Sequence, residues 1–155
     1  MNDTADGGAR LRELTRSECF ELLISEHVGR LAVVDDRGAV VVPVNFIVDC
    51  HMVVIRTSEG TKLDAASRGS WVAFEVGGID AAAHTGWSVL VRGEAVEVTD
   101  PAELARLGKL PLQPWAPGLR TRYIRILPAA LTGRRIVAAG GLAAGPDAAR
   151  CGPGE

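Results

Sequence analysis

Aromatic residues make up only 5% of the 155 positions: three Trp, three Phe and one Tyr. The core must therefore be mainly aliphatic, and each aromatic invites its own explanation. Sulfur is equally sparse. Cys19, Cys50 and Cys151 are odd in number and far apart, which excludes a disulfide framework, and no CxxC or Cys/His spacing marks a zinc site. His27, His51 and His84 are scattered too, so no metal centre is expected and no thiol has an evident base partner. Basic excess is missing, with a net charge of -2. Nucleic acid is therefore not an expected partner. Apolar runs are no longer than a strand, so no membrane-spanning segment is expected. The opening MNDTADGGARLRELTR lacks the apolar stretch of a signal peptide, and a cytoplasmic location is the expectation.

What the chain does have is short β-type segments separated by turn signals, at 47% hydrophobic content. The central stretch runs from Ala39 to Asp64, AVVVPVNFIVDCHMVVIRTSEGTKLD. It reads as a strand over 39–48, a turn at Asp49-Cys50-His51, a strand over 52–57, and a helix over 61–68 closed by Gly69. Arg56 ends an apolar strand, and Lys62 falls in the first helical turn. A cation at a helix N-terminus opposes the dipole, a conflict that a nearby anion resolves. Arg56 and Lys62 are therefore candidate phosphate ligands rather than plain surface charges. Pro43 marks either an edge strand or a backbone edge freed for a ligand, and Asn45 is a polar interruption that caps a turn or bonds a ligand.

Elsewhere, residues 1–12 read as a flexible arm. Thr15-Arg16-Ser17-Glu18 has the form of a capping box for a helix ending near Ser25. Strands are expected over 28–34, 70–76, 86–98, 120–127 and 131–138, with a loop over 77–85. In 86–98 the apolar residues Trp87, Val89 and Val91 give way to Val96 and Val98, so a change of face is expected with Gly93 as the pivot. Thr99-Asp100-Pro101 opens a helix ending near Leu107, and 108–118 is a loop with three prolines. Residues 139–155 read as a disordered tail, leaving 13–138 as one domain. Trp71 is assigned to the core, Trp87 fits core and cofactor wall equally, and Trp115 on its proline-rich loop suits a subunit contact or a substrate lid. Arg92, Glu94 and Glu97 read as a solvated face. Hairpin order implies antiparallel pairing, and closing the sheet into a small barrel removes its edges.

The series VGRLAV (28–33), VVPVNF (41–46), IRTSEGTKLDA (55–65), VAFEV (72–76) and GWSVLVRGEAVEV (86–98) resembles the pyridoxamine 5'-phosphate oxidase-like flavin-binding split barrels, in the actinobacterial branch near the nitroimidazole reductases. The resemblance implies a mainly β fold, a six-stranded antiparallel split barrel with a few short helices. It also implies a homodimer holding FMN in two interface clefts. By position, the backbone of Pro43, Val44 and Asn45 would follow the flavin ring. Arg56, Thr57 and Lys62 would hold the phosphate. Trp87, Ser88 and Val89 would line the ring from the other side, and Trp115, with Arg134 or Arg135, would reach it from the second subunit. The Gly- and Ala-rich end after Val137 replaces the segment with which the true oxidase grips its vitamin substrate, so that activity is not expected.

The implied function is an FMN-dependent oxidoreductase that reduces an unidentified small molecule. Alternatives are a deazaflavin-dependent reductase of the same fold, and a flavin or haem carrier or sensor without turnover, for which His84 near Trp87 is the candidate haem ligand. No catalytic acid or base stands out.

Overall fold

The computed structural model describes residues 8–58 and 68–138. The elements in order are β1 (Arg10–Glu13), α1 (Arg16–Ser25), β2 (Val28–Asp35), β3 (Gly38–Asp49), β4 (Met52–Thr57), β5 (Arg68–Asp80), β6 (Thr85–Glu97), α2 (Pro101–Leu107) and β7 (Arg122–Val137). All pairings are antiparallel. The sheet order β1-β7-β4-β3-β2-β5-β6, with β6 also paired to β7, closes β2 to β7 into a six-stranded ring and leaves β1 beside the C-terminal half of β7.

The helices start where local chemistry dictates. The Thr15 hydroxyl accepts the Glu18 amide at 3.3 Å, and the Glu18 carboxylate accepts the Thr15 amide at 2.7 Å. That backbone bond, aided by Arg12, lowers the Glu18 pKa. α1 buries Cys19 and Leu23 completely against the barrel, and burial pushes the Cys19 thiol pKa up. α2 is capped by Asp100, which accepts the Glu103 amide, with Pro101 at its first position.

Alternation then places the core. Leu31, Phe46, Ile55, Phe74, Val91 and Ile124 point inward and are at most 1% exposed. Phe46 and Phe74 meet edge to face at 4.8 Å. Each such side chain contributes about 1.5–3 kcal/mol of burial. A second cluster lies outside the ring: Val54 and Tyr123 on β4 and β7 pack with Val98, Leu107 and Leu112 under α2 and the loop after it. Arg106 of α2 grips Asp49 through both its oxygens, at 3.1 and 2.7 Å, and Glu103 bonds Arg106 and Arg125. These bonds hold α2 on the β3–β4 turn and on β7. In that turn Cys50 and His51 both take positive φ, 48° and 61°. The cost of that conformation is offset by the His51 ring meeting Phe20 edge-on at 4.9 Å.

Several expectations need correction. Residues 10–12 of the expected arm belong to β1, which ends at Glu13. Strand β5 begins at Arg68 and runs to Asp80, so neither a helix reaching 68 nor a loop over 77–85 is present; β5 and β6 continue as a ladder to Asp80 and Thr85. Asp80 closes that hairpin by accepting the amides of Ala82 and Ala83. The two expected C-terminal strands are one, because Pro128 sits at an irregularity of β7 that leaves the ladder otherwise intact. Gly93 is the pivot, since the register shifts between Arg92 and Gly93, but the unpaired residue, Ala129, is on β7. β6 therefore keeps one inward face from Val89 to Ala95, and Val96 is exposed. A Cβ at Gly93 would lie 1.8 Å from the Leu127 carbonyl oxygen. Trp71 is 68% exposed: Val72, Phe74 and Val76 take the inward positions, so alternation turns Trp71 outward. Lys62, most of the expected 61–68 helix and the 139–155 tail lie outside the described residues.

Candidate functional site

Two seams of the ring are short: β2 and β5 pair only from Arg30–Glu75 to Ala32–Ala73, and the β3–β4 seam is the one that brings site candidates together. β3 and β4 pair only from Phe46–Ile55 to Asp49–Met52. Beyond Phe46, β3 continues beside β2, with Val44 opposite Gly29 and Pro43 opposite Arg30. The residues from Gly38 to Asn45 have no β4 partner among the described residues. Pro43 is exposed and Val44 and Asn45 are half-buried. A proline there removes no ladder bond the strand needs.

The loop between α2 and β7 straps this seam at two points. The Trp115 amide donates to Asn45 Oδ1 at 2.8 Å, and Arg56 Nε donates to the Arg120 carbonyl at 2.8 Å. Asn45 Nδ2 also reaches the His27 carbonyl at 3.4 Å. The Arg56 guanidinium stands 5.5 Å from the centre of the Tyr123 ring, and its terminal nitrogens have no hydrogen-bond partner among the described residues. Arg120 Nε is buried and unpartnered there as well. Two adjacent arginines with donor capacity to spare suit an anion. Thr57 is 2% exposed and hydrogen-bonded, its hydroxyl reaching the Ser58 carbonyl at 3.5 Å. Next to Asn45 a cleft of 240 Å³ opens against Trp115, which is 75% exposed.

A second concavity lies at the far end of β6 and β7. Trp87 is paired with Gly78 and Arg135, and Ser88 with Gly77 and Arg134. Gly78 is there for space: a Cβ on it would come within 2.8 Å of the Trp87 indole nitrogen. Trp87, Ser88, Ile79, Ile136, His84 and Arg134 are among the residues lining a cleft of 460 Å³, within the range of small-molecule sites. The ion pair of Arg30 and Glu75, 3.0 Å, is part of the same wall. Val89 is fully buried in the core and paired with Val76 and Gly133 on its two sides, so it does not line this cleft. Arg135 Nε is buried without a partner among the described residues.

The two places lie on different elements, yet they meet at β2: Arg30, which lines the Trp87 cleft, is paired with Pro43 of the seam. Arg56 is paired with Tyr123 and Trp87 with Arg135. Between Tyr123 and Arg135 lies on the order of 40 Å of strand at ~3.4 Å per residue. The predicted site residues therefore form two groups: Pro43, Val44, Asn45, Arg56, Thr57 and Trp115 at the short seam, and Trp87, Ser88 and Val89 at the far end. Sequence reasoning missed the strap bonds of Asn45 and the unpartnered Arg120. It also missed the glycine floor under Trp87, for which the Gly77-Gly78 pair was the available signal.

A family model described as pyridoxamine 5'-phosphate oxidase matches residues 15–135. The chain belongs to that family. Its six-stranded ring is the family's split barrel. An uncharacterized protein of Mycobacterium tuberculosis is 38% identical over 131 residues, 81% of this chain and 86% of the relative. The FAD binding protein from Mycobacterium smegmatis is 40% identical, with a TM-score of 0.69 over 80% of this chain and 97% of that one. A conserved protein of unknown function from Corynebacterium diphtheriae is 36% identical, with a TM-score of 0.69 over 82% and 98%. Among the described residues no helix is long and apolar enough to cross a membrane.

Proposed function

We propose that this chain is a flavin-binding oxidoreductase that works as a homodimer, each flavin lying between the short seam of one subunit and the Trp87 cleft of the other. The observation that carries the reading is the pair of arginines with spare donors among the described residues, Arg56 and Arg120, beside the unpaired backbone of β3 at the short seam. A twofold axis would bring the short seam of one chain to the Trp87 cleft of the other, and would do so twice.

The residues present fit the group. Arg56 and Arg120 offer unpartnered donors to a phosphate. The unpaired backbone of Pro43 to Asn45 offers bonds to a polar ring edge. Trp87 above Gly78 supplies a flat apolar wall that excludes water, and Arg134 brings a positive charge to the same cleft. That charge favours an electron-rich ring or an anionic acceptor. A bound flavin supplies hydride transfer, with a small molecule as acceptor in the cleft. The sequence implied FMN; the FAD binding relative, matched over nearly its whole length, favours FAD. A second reading rests on His84, which lines the same cleft as Trp87 and is the candidate ligand for a haem.

The test is to purify the protein without added cofactor, record its visible spectrum and mass, and identify the released ligand. A yellow dimer releasing FAD or FMN is expected, with flavin affinity reduced at least tenfold in Arg56→Ala. A released deazaflavin replaces the cofactor within the same site, and a Soret band selects the haem reading. A colourless monomer that takes up no flavin on titration overturns the proposal.

A further inference from the structure

We infer that the cleft between the end of α1 and Pro111 is a binding site for a small apolar amine, separate from the residues assigned to the flavin above. Its volume is 270 Å³, and three parts of the chain wall it: Ile24 and Glu26 at the end of α1, Ile47 and Val48 on β3, and Leu110 and Pro111 after α2. Sites that enclose a drug-sized ligand span about 300–1,000 Å³. This cleft therefore suits a smaller molecule.

The walls suit an apolar body. Ile47 and Leu110 are half-buried and pack against the cluster under α2, which holds that side of the cleft in shape. The Leu110 amide donates to the Leu107 carbonyl at 3.0 Å, and the Leu112 amide to the Leu110 carbonyl at 2.8 Å, so the backbone behind the wall is fixed too. Opposite, α1 turns Cys19 and Leu23 inward and leaves Ile24 64% exposed. An apolar group placed between Ile24 and the fixed wall removes both from water.

The polar groups suit a cation. Glu26 is half-buried, and its carboxylate has no hydrogen bond or ion pair among the described residues. Asp49, the other carboxylate of the cleft, is already held through both oxygens by Arg106. Glu26 is also the C-cap of α1, whose last turn carries no basic residue. A helix C-terminus bears a partial negative charge that a cation stabilises; here the capping side chain adds a second negative charge instead. The Leu22 carbonyl accepts the Ser25 hydroxyl at 2.8 Å and the Leu23 carbonyl the Glu26 amide at 3.3 Å, whereas those of Ile24 and Ser25 have no partner among the described residues. An ammonium has three donors, enough for the Glu26 carboxylate and a free carbonyl together. His27 lines the same cleft, but no Lys or Arg does, so the matching cation comes from the ligand.

The experiment titrates the purified protein, with whatever cofactor it carries, with phenylethylamine, followed through amide chemical shifts. Phenylacetate, with the same body and the opposite charge, is the control. Saturable shifts at Ile24, Ile47 and Leu110 are expected with phenylethylamine, with a dissociation constant of about 1 mM or tighter, and none with phenylacetate. Glu26→Gln keeps the shape and removes the charge, and should weaken binding about fivefold. Ile24→Ser should weaken it through the lost wall. Neither residue belongs to a core cluster, so both variants keep the wild-type spectrum elsewhere. Absence of saturable shifts overturns the site. Equal binding of phenylacetate, or unchanged affinity in Glu26→Gln, overturns its assignment to an amine. Each of these failures leaves the flavin reading standing, because none of the residues tested is assigned to the flavin.

Discussion

The β6–β7 seam and the β3–β4 seam are built on opposite plans. β6 and β7 are paired from Gly86–Ile136 to Glu97–Ile124, interrupted only at Gly93, and their inward residues Val89, Val91, Ala95, Ile124 and Ile126 are fully buried. β3 and β4 are paired only from Phe46 to Asp49, and the lips beyond are joined through side chains and a loop. The difference separates scaffold from site. A complete ladder leaves no backbone group for a ligand, whereas an unfinished one exposes donors and acceptors that a cofactor can use.

The largest expected effect comes from breaking the complete seam. Gly93→Val drives a side chain into the Leu127 carbonyl, so a loss of about 3 kcal/mol or more is expected in urea unfolding. A variant as stable as wild type would show that the seam gives way freely. At the short seam, Asn45→Ala removes the acceptor of the Trp115 amide and a donor to His27. A loss of about 1 kcal/mol is expected, with faster amide exchange at Trp115 and unchanged exchange in β6. Unaltered protection at Trp115 would mean that the strap is held by something else.

The smallest effect concerns α2, which buttresses the β4–β7 side. Hydrogen bonds from Arg106 and then Arg125 hold Glu103 down at about 2, against an ordinary value of 4.5. The folded value is the lower one, so this stabilisation is fully present above 4.5 and is lost as the pH falls through about 2. Glu103→Gln should therefore show a small Tm deficit at pH 7 that shrinks below pH 4.5 and disappears near pH 2. A deficit independent of pH would assign the effect to packing instead.

The same contrast explains what the sequence made legible. The capping box and the Asp100-Pro101 start rest on local chemistry, and both were readable in place; Gly93 marked the irregularity, but the change of face expected of β6 is absent. Arg56 stood out because a cation on an apolar strand needs a reason. Trp71 misled because an aromatic looks alike on either face of a strand, and only the inward run of Val72, Phe74 and Val76 decides which way it turns. The ends of β5 and β6 were read as loop because Gly77-Gly78 resembles a turn, whereas Gly78 makes room for Trp87. Pro128 looked like a break because the bulge that accommodates it lies in the pairing with β6. That the site divides between two ends of β7 depends on ring closure, which no local pattern states.

Besides the open lip of β3, the sheet has an edge at β1. That strand lies against β7 from Arg10–Val137 to Glu13–Arg134, and its outer edge is open among the described residues. That edge is four residues long, fully exposed, and charged at Arg10, Arg12 and Glu13. So short and charged a border is a poor template for a foreign strand. Its charges and its four-residue length guard the sheet against edge-to-edge growth.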